Sequence, residues 1–301
     1  MIICRLIIFV SVLLFSWQPA FAQSSETGIV GQVLPHLPKI YQDNFVDLRS
    51  DIAIPSPSLI TTKIKDAYRF DQSMQNLNSK SLDEPIIVGL YSKNILNKGG
   101  GNTSGKNIYV SNIQPFLNYV NGIEDRGFSW FVTAHELEHL IMNRMNAPVA
   151  KVPVYLFEGI ACSLGYRFAI NMPEGYYCIH SIAVRLGDYS YKDAQSSLNN
   201  LRHVEDYAPA KQAGLMWQHE HIGGLFFEFL IARIYRSPDA MFHAWGKVIE
   251  DLGNNVNFEV SFKNRFGMTL EQTEIAFLDY IRVTENNPNA RFQGTVFQGH
   301  E

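Results

Sequence analysis

Residues 130–139 read Trp-Phe-Val-Thr-Ala-His-Glu-Leu-Glu-His, and residues 156–161 read Leu-Phe-Glu-Gly-Ile-Ala. The first stretch holds His135, Glu136 and His139 in an H-E-x-x-H spacing. Four residues advance an α-helix by about 400°, so the two imidazoles stand one turn apart on nearly the same face. Two Nε2 atoms so placed can bind one zinc ion, and Glu136, one residue along, is turned toward a water at the metal. Apolar Phe131, Val132, Leu137, Leu140 and Ile141 surround them, and neither Gly nor Pro interrupts 128–147. A buried helix is predicted there.

A catalytic zinc takes three protein ligands and leaves one position to water. Glu158 supplies a third candidate, with eighteen residues between it and His139. It lies on what reads as a second helix starting near Pro153, while Asn146-Ala-Pro148 ends the first. Two antiparallel helices joined by a short loop bring residue 158 back over 135 and 139. Glu138 faces away from the pair and reads as a solvated or supporting residue.

H-E-x-x-H, an eighteen-residue gap and then Glu-Gly-x-Ala together resemble the gluzincin metallopeptidases, above all the branch of the membrane alanyl aminopeptidases and small secreted relatives. Thermolysin itself is less similar, because Cys162 stands where its third-ligand helix carries an acidic residue. The resemblance implies an α+β, zincin-like (thermolysin-like) catalytic domain with a small N-terminal sheet and a helical C-terminal lobe. It implies one zinc ion on His135, His139 and Glu158, Glu136 as general base and then proton donor, and a peptide or protein substrate. Gluzincins also use an edge strand to hold extended substrate. Residues 107–111 are the candidate for it, and an ordinary hairpin strand beside a mobile loop fits the same residues.

Two departures bear on activity. The Gly-x-Met-Glu-Asn motif, whose Glu holds a substrate's free amine in the aminopeptidase branch, is missing, which favours endopeptidase over aminopeptidase action. The Tyr that stabilises the oxyanion in that branch corresponds to His221, sixty-three residues after Glu158. His221 is therefore the candidate oxyanion donor, with His219 and Tyr166 behind it, while a role for both histidines in lining a helix is the other reading. A catalytically inactive, exported zinc-binding module is the alternative function.

Residues 1–22 read as a cleaved signal peptide, with Arg5, the apolar run Leu6–Phe15 and Ala20-Phe-Ala22. The run is too short for a stable membrane anchor, so an exported, periplasmic or secreted protein is expected. A formal net charge of −4 argues against a nucleic-acid partner. In an oxidising compartment Cys162 and Cys178 either form a disulfide or remain two thiols. The catalytic domain is expected over 23–283. Within it, strands are predicted at 85–91 and 107–111 around a flexible turn at 98–105, and helices at 59–77, 192–202, 216–235, 238–252 and 270–281. Residues 284–301 are expected to form a loose tail.

Overall fold

A computed structural model of the chain describes residues 34, 37–77, 85–92, 101–122, 127–172 and 175–300. The expected signal segment and residues 98–100 of the glycine run lie outside them. The fold is mixed α/β, mostly helical, with one five-stranded sheet. The strands are β1 (Lys39–Gln42), β2 (Val46–Ser50), β3 (Ile86–Tyr91), β4 (Gly101–Ser104) and β5 (Ile108–Asn112), in the order β1-β2-β3-β5-β4. β2, β3 and β5 run parallel, and the flanking β1 and β4 are antiparallel to their neighbours.

Helix α1 (Pro57–Met74) joins β2 to β3 and packs Ile60, Ile64, Ala67 and Tyr68 into the main core. Val46, Leu48, Ile86, Val88, Leu90 and Tyr109 face that same core from the sheet. The opposite face carries a small cluster of Leu34, Leu37, Tyr91 and Val110, as a two-residue side-chain period requires. After the short α2 (Gln114–Val120) come the two long helices of the centre, α3 (Phe128–Arg144) and α4 (Val154–Ile170). Thirteen residues of α3 are buried, so the helix runs through the protein interior and not over its surface.

The remaining helices are α5 (Gly175–Gly187), α6 (Tyr191–Asn200), α7 (Tyr207–Gln212), α8 (Met216–Phe229), α9 (Pro238–Gly253), α10 (Phe258–Phe266), α11 (Leu270–Thr284) and α12 (Pro288–Phe292). A π-helical turn, Leu230–Tyr235, continues α8 to the end of the expected 216–235 helix. Thr269 caps α11 in a reciprocal box with Gln272. No helix of the described residues is long and apolar enough to cross a membrane.

The structure decides four expectations. The turn expected at 98–105 contains strand β4, which occupies the sheet edge, so the candidate edge strand 107–111 is β5, an inner strand. Gly101 permits this: a Cβ there would stand 2.8 Å from Val132 and 2.9 Å from the Glu136 side chain. Of the two alternatives for the cysteines, the separate thiols hold: Cys162 on α4 and Cys178 on α5 are both buried and unbridged. Residues 284–301 are no loose tail. Phe292 and Phe297 are fully buried, and Arg291 donates to the carbonyls of Leu186 at 2.7 Å and Tyr189 at 2.9 Å, tying the chain end to the close of α5. Glu138, read as solvated or supporting, is not solvated: it is completely buried and accepts a 2.6 Å hydrogen bond from Gln75 Nε2.

Candidate metal centre

The i, i+4 spacing on α3 places the His135 and His139 rings edge to face, with centroids 4.7 Å apart and their Nε2 atoms 3.1 Å apart. Helix α4 lies against α3 and delivers Glu158, whose Oε2 is 3.2 Å from each Nε2. The three atoms thus form a nearly equilateral triangle. All three residues are buried, and together they form a group able to hold a metal ion. Sequence spacing alone anticipates this set.

The supports of the triangle come from several elements. With Nε2 turned inward, the other ring nitrogen of His135, Nδ1, lies 3.5 Å from Cys162 Sγ. Burial, reinforced by the charges of Glu220 and Glu158, pushes the Cys162 thiol well above its usual range, so it stays protonated. The Phe157 ring stacks on His139, with centroids 4.4 Å apart and planes 5° apart. Burial by itself would raise the Glu158 carboxyl, but the charge and hydrogen bonds of His139 and His135 hold it well below the usual carboxylate range. A positive charge at the centre is what this carboxylate is placed to meet.

Glu136 is turned from the triangle toward the sheet. Thr103 Oγ1 of β4 lies 2.7 Å from its Oε2 and 2.9 Å from its main-chain oxygen, fixing the carboxylate beside the edge strand. The other Glu158 oxygen, Oε1, accepts a hydrogen bond from the Tyr207 hydroxyl at the start of α7. Burial and the neighbouring Glu158 push the Tyr207 phenol well above its usual range, so it remains a donor.

Helix α8 covers the rear. Its glycines allow contact at backbone distance: a Cβ on Gly224 would be 2.6 Å from Tyr166 Oη, and Gly223 lies against Gly159. His221, the residue expected to reach the oxyanion, instead sits in an aromatic box. Tyr166 Oη is 2.5 Å from its Nδ1, and Trp217, Phe131 and Tyr166 stack around the ring. Burial, with smaller contributions from the nearby His135 and Arg185, pushes His221 well below its usual range, keeping it neutral. His219 turns the other way and meets Ser197 Oγ at 2.9 Å.

Sequence reasoning passed over Tyr207, Thr103 and Glu220. Burial and the charges of Glu158 and Glu136 push the Glu220 carboxyl well above its usual range, with Lys211 opposing. Tyr207 lies forty-nine residues beyond Glu158, in a stretch whose Pro209 and short helix give no periodic signal. Comparison of the chain with protein-family profiles, curated proteins and solved structures finds no match.

Proposed function

We propose that the chain is an exported zinc-dependent peptidase of the zincin-like, thermolysin-like class, with one zinc ion on His135, His139 and Glu158. The triangle of 3.1–3.2 Å edges carries the reading. Three ligands about 2.0 Å from zinc at tetrahedral angles stand about 3.3 Å apart, whereas calcium ligands at about 2.4 Å need a wider ring. Two imidazoles and one carboxylate are also a donor set that catalytic zinc uses with water beside it.

The ion, when bound, supplies Lewis acidity that polarises a peptide carbonyl and lowers the pKa of a water. The chain's own groups do the rest. Glu136, oriented by Thr103, takes the proton from the attacking water and returns it to the leaving amine nitrogen. Tyr207, a hydroxyl donor already at Glu158, donates to the oxyanion as negative charge grows there. The free side of edge strand β4 offers backbone donors and acceptors to an extended peptide. Endopeptidase action follows from the missing Gly-x-Met-Glu-Asn amine site.

The decisive experiment is Glu136→Gln, assayed on a quenched-fluorescence peptide library with and without chelator. The variant should keep one equivalent of zinc and lose about 10²–10⁴-fold in turnover. Undiminished turnover in that variant removes Glu136 from the mechanism. A wild-type protein that holds zinc but cleaves no member of the library is a binding module instead.

A further inference from the structure

Behind α3, where it packs on α1, three polar side chains meet out of contact with water. Asp71 and Glu138 are fully buried, and Gln75, at the end of α1, is 1% exposed. The Gln75 Nε2 donates to Glu138 Oε2 at 2.6 Å and to the Asp71 main-chain oxygen at 3.1 Å, and the Asp71 carboxyl lies close enough to feel the charge of Glu138. Four acceptor atoms there have no donor among the described residues: both oxygens of Asp71, Oε1 of Glu138 and the Gln75 carbonyl oxygen. The Gln75 carbonyl belongs to the same planar amide that touches Glu138. It is an independent sign, since a neutral amide oxygen gains nothing from the repulsion between two acids.

We propose that Asp71, Glu138 and Gln75 form a second cation site, taking an oxygen-seeking divalent ion behind the metal helix. Buried polar groups are nearly always satisfied, so four orphaned oxygens in one place call for a common partner. One proton shared between the two acids would satisfy two of the four and leave a full negative charge in the interior. A divalent ion would neutralise both carboxylates and give the orphaned oxygens a common partner. The donor set is oxygen alone, which suits calcium, magnesium or manganese and sets the site apart from the nitrogen-rich centre of His135 and His139. Its position gives it a purpose: Glu138 is the residue before His139, so an ion there pins the helix that carries both imidazoles. The site does not depend on the hydrolytic reading.

The test is equilibrium dialysis of the full chain, loaded with zinc, against Ca2+ and separately against Mn2+, with elemental analysis of the protein. Wild type should take up one equivalent of Ca2+ or Mn2+ beyond its zinc and melt at a higher temperature in that ion. Asp71→Asn should lose the second equivalent and the thermal shift while keeping its zinc. His139→Gln should lose the zinc and keep the second ion. Gln75→Met, which removes the neutral carbonyl together with the amide donor to Glu138 and leaves both carboxylates in place, should bind the second ion about tenfold more weakly, and it stands in should Asp71→Asn fail to fold. Absence of a second equivalent in wild type, or its survival unchanged in Asp71→Asn, overturns the site and leaves two carboxyls held neutral by protons.

Discussion

Gly159 and Gly223 touch backbone to backbone. A Cβ added to Gly159 would lie 2.4 Å from the Gly223 carbonyl carbon, and one added to Gly223 would lie 2.1 Å from the Tyr155 carbonyl oxygen. Neither neighbour is a flexible side chain that can step aside, so α4 and α8 would have to part. Gly159 follows the ligand Glu158, which links this contact to the metal centre. Gly159→Ala should destabilise the fold by about 1–3 kcal/mol and weaken zinc binding together. Gly214→Ala is the control: its φ is +72° with open space around it, so a loss of stability should leave zinc affinity unchanged. Thermal unfolding and a zinc titration on both variants check this, and a tight-binding, fully stable Gly159→Ala would refute it.

Stability should fall on mild acidification, with His221 contributing. The unfolded imidazole takes up a proton near pH 6.5, whereas burial holds the folded one neutral to well below that. Between those limits the unfolded state binds more protons, so stability rises with pH through the window. His221's contribution is complete above about pH 6.5 and is lost progressively as pH falls below it. His221→Phe, which keeps a ring in the aromatic box, should flatten the dependence of melting temperature on pH in this range. His219, also pushed down by burial, leaves a residual slope. An unaltered slope in the variant would show that His221 is already protonated in the folded protein.

Much of the centre was legible from the chain because its signals are local. H-E-x-x-H fixes two ligands through helix geometry alone, and Pro148 and Pro153 mark the turn that returns Glu158 to them. What escaped depends on tertiary packing. Gly101–Ser104 has glycine at its head and polar residues after it, and it becomes a strand only because β5 pairs with it and α3 leaves room for a glycine alone. Glu138 has the charge of a surface residue, and only the docking of α1 buries it. His221 has the right chain distance from Glu158, but its place in the box is set by Trp217 and Tyr166, which spacing does not reveal. Residues 288–300 look polar, yet four of their side chains, Arg291, Phe292, Thr295 and Phe297, are buried.

That chain end should prove indispensable to the fold. Arg291 is fully buried, and its guanidinium donates to the carbonyls of Leu186, Gly187 and Tyr189 around the end of α5. The next residues reach back to α8, where Val296 N–H donates to Glu228 Oε2 at 2.9 Å, the same carboxylate that Arg167 pairs at 2.7 Å. Arg291→Ala removes the charged donors and leaves a void, so it should cost about 3 kcal/mol. Truncation after Asn287 should cost more, since it also exposes the sites of Phe292 and Phe297. Chemical denaturation measures both. Variants as stable as wild type would mean that the end segment is detachable.

The sharpest test of how the site works is Tyr207→Phe. The phenol donates to Oε1 of Glu158, while Oε2 faces the two imidazoles, so the hydroxyl stands at the rim of the centre without being one of its three ligands. Two roles follow from that position, and they predict different data. As an orienting group for Glu158, Tyr207 would matter to metal affinity, with a loss of about 10–100-fold on removal. As donor to the oxyanion, it would matter to the transition state, and removal would lower kcat by about 10²–10³-fold with zinc still bound at saturation. Measuring kcat at saturating zinc separates the two. We expect the second result, because burial and the adjacent carboxylate keep the phenol protonated and Glu158 is already held by both histidines. Restoration of full kcat by excess zinc would assign Tyr207 to positioning the ligand and return the oxyanion role to another donor.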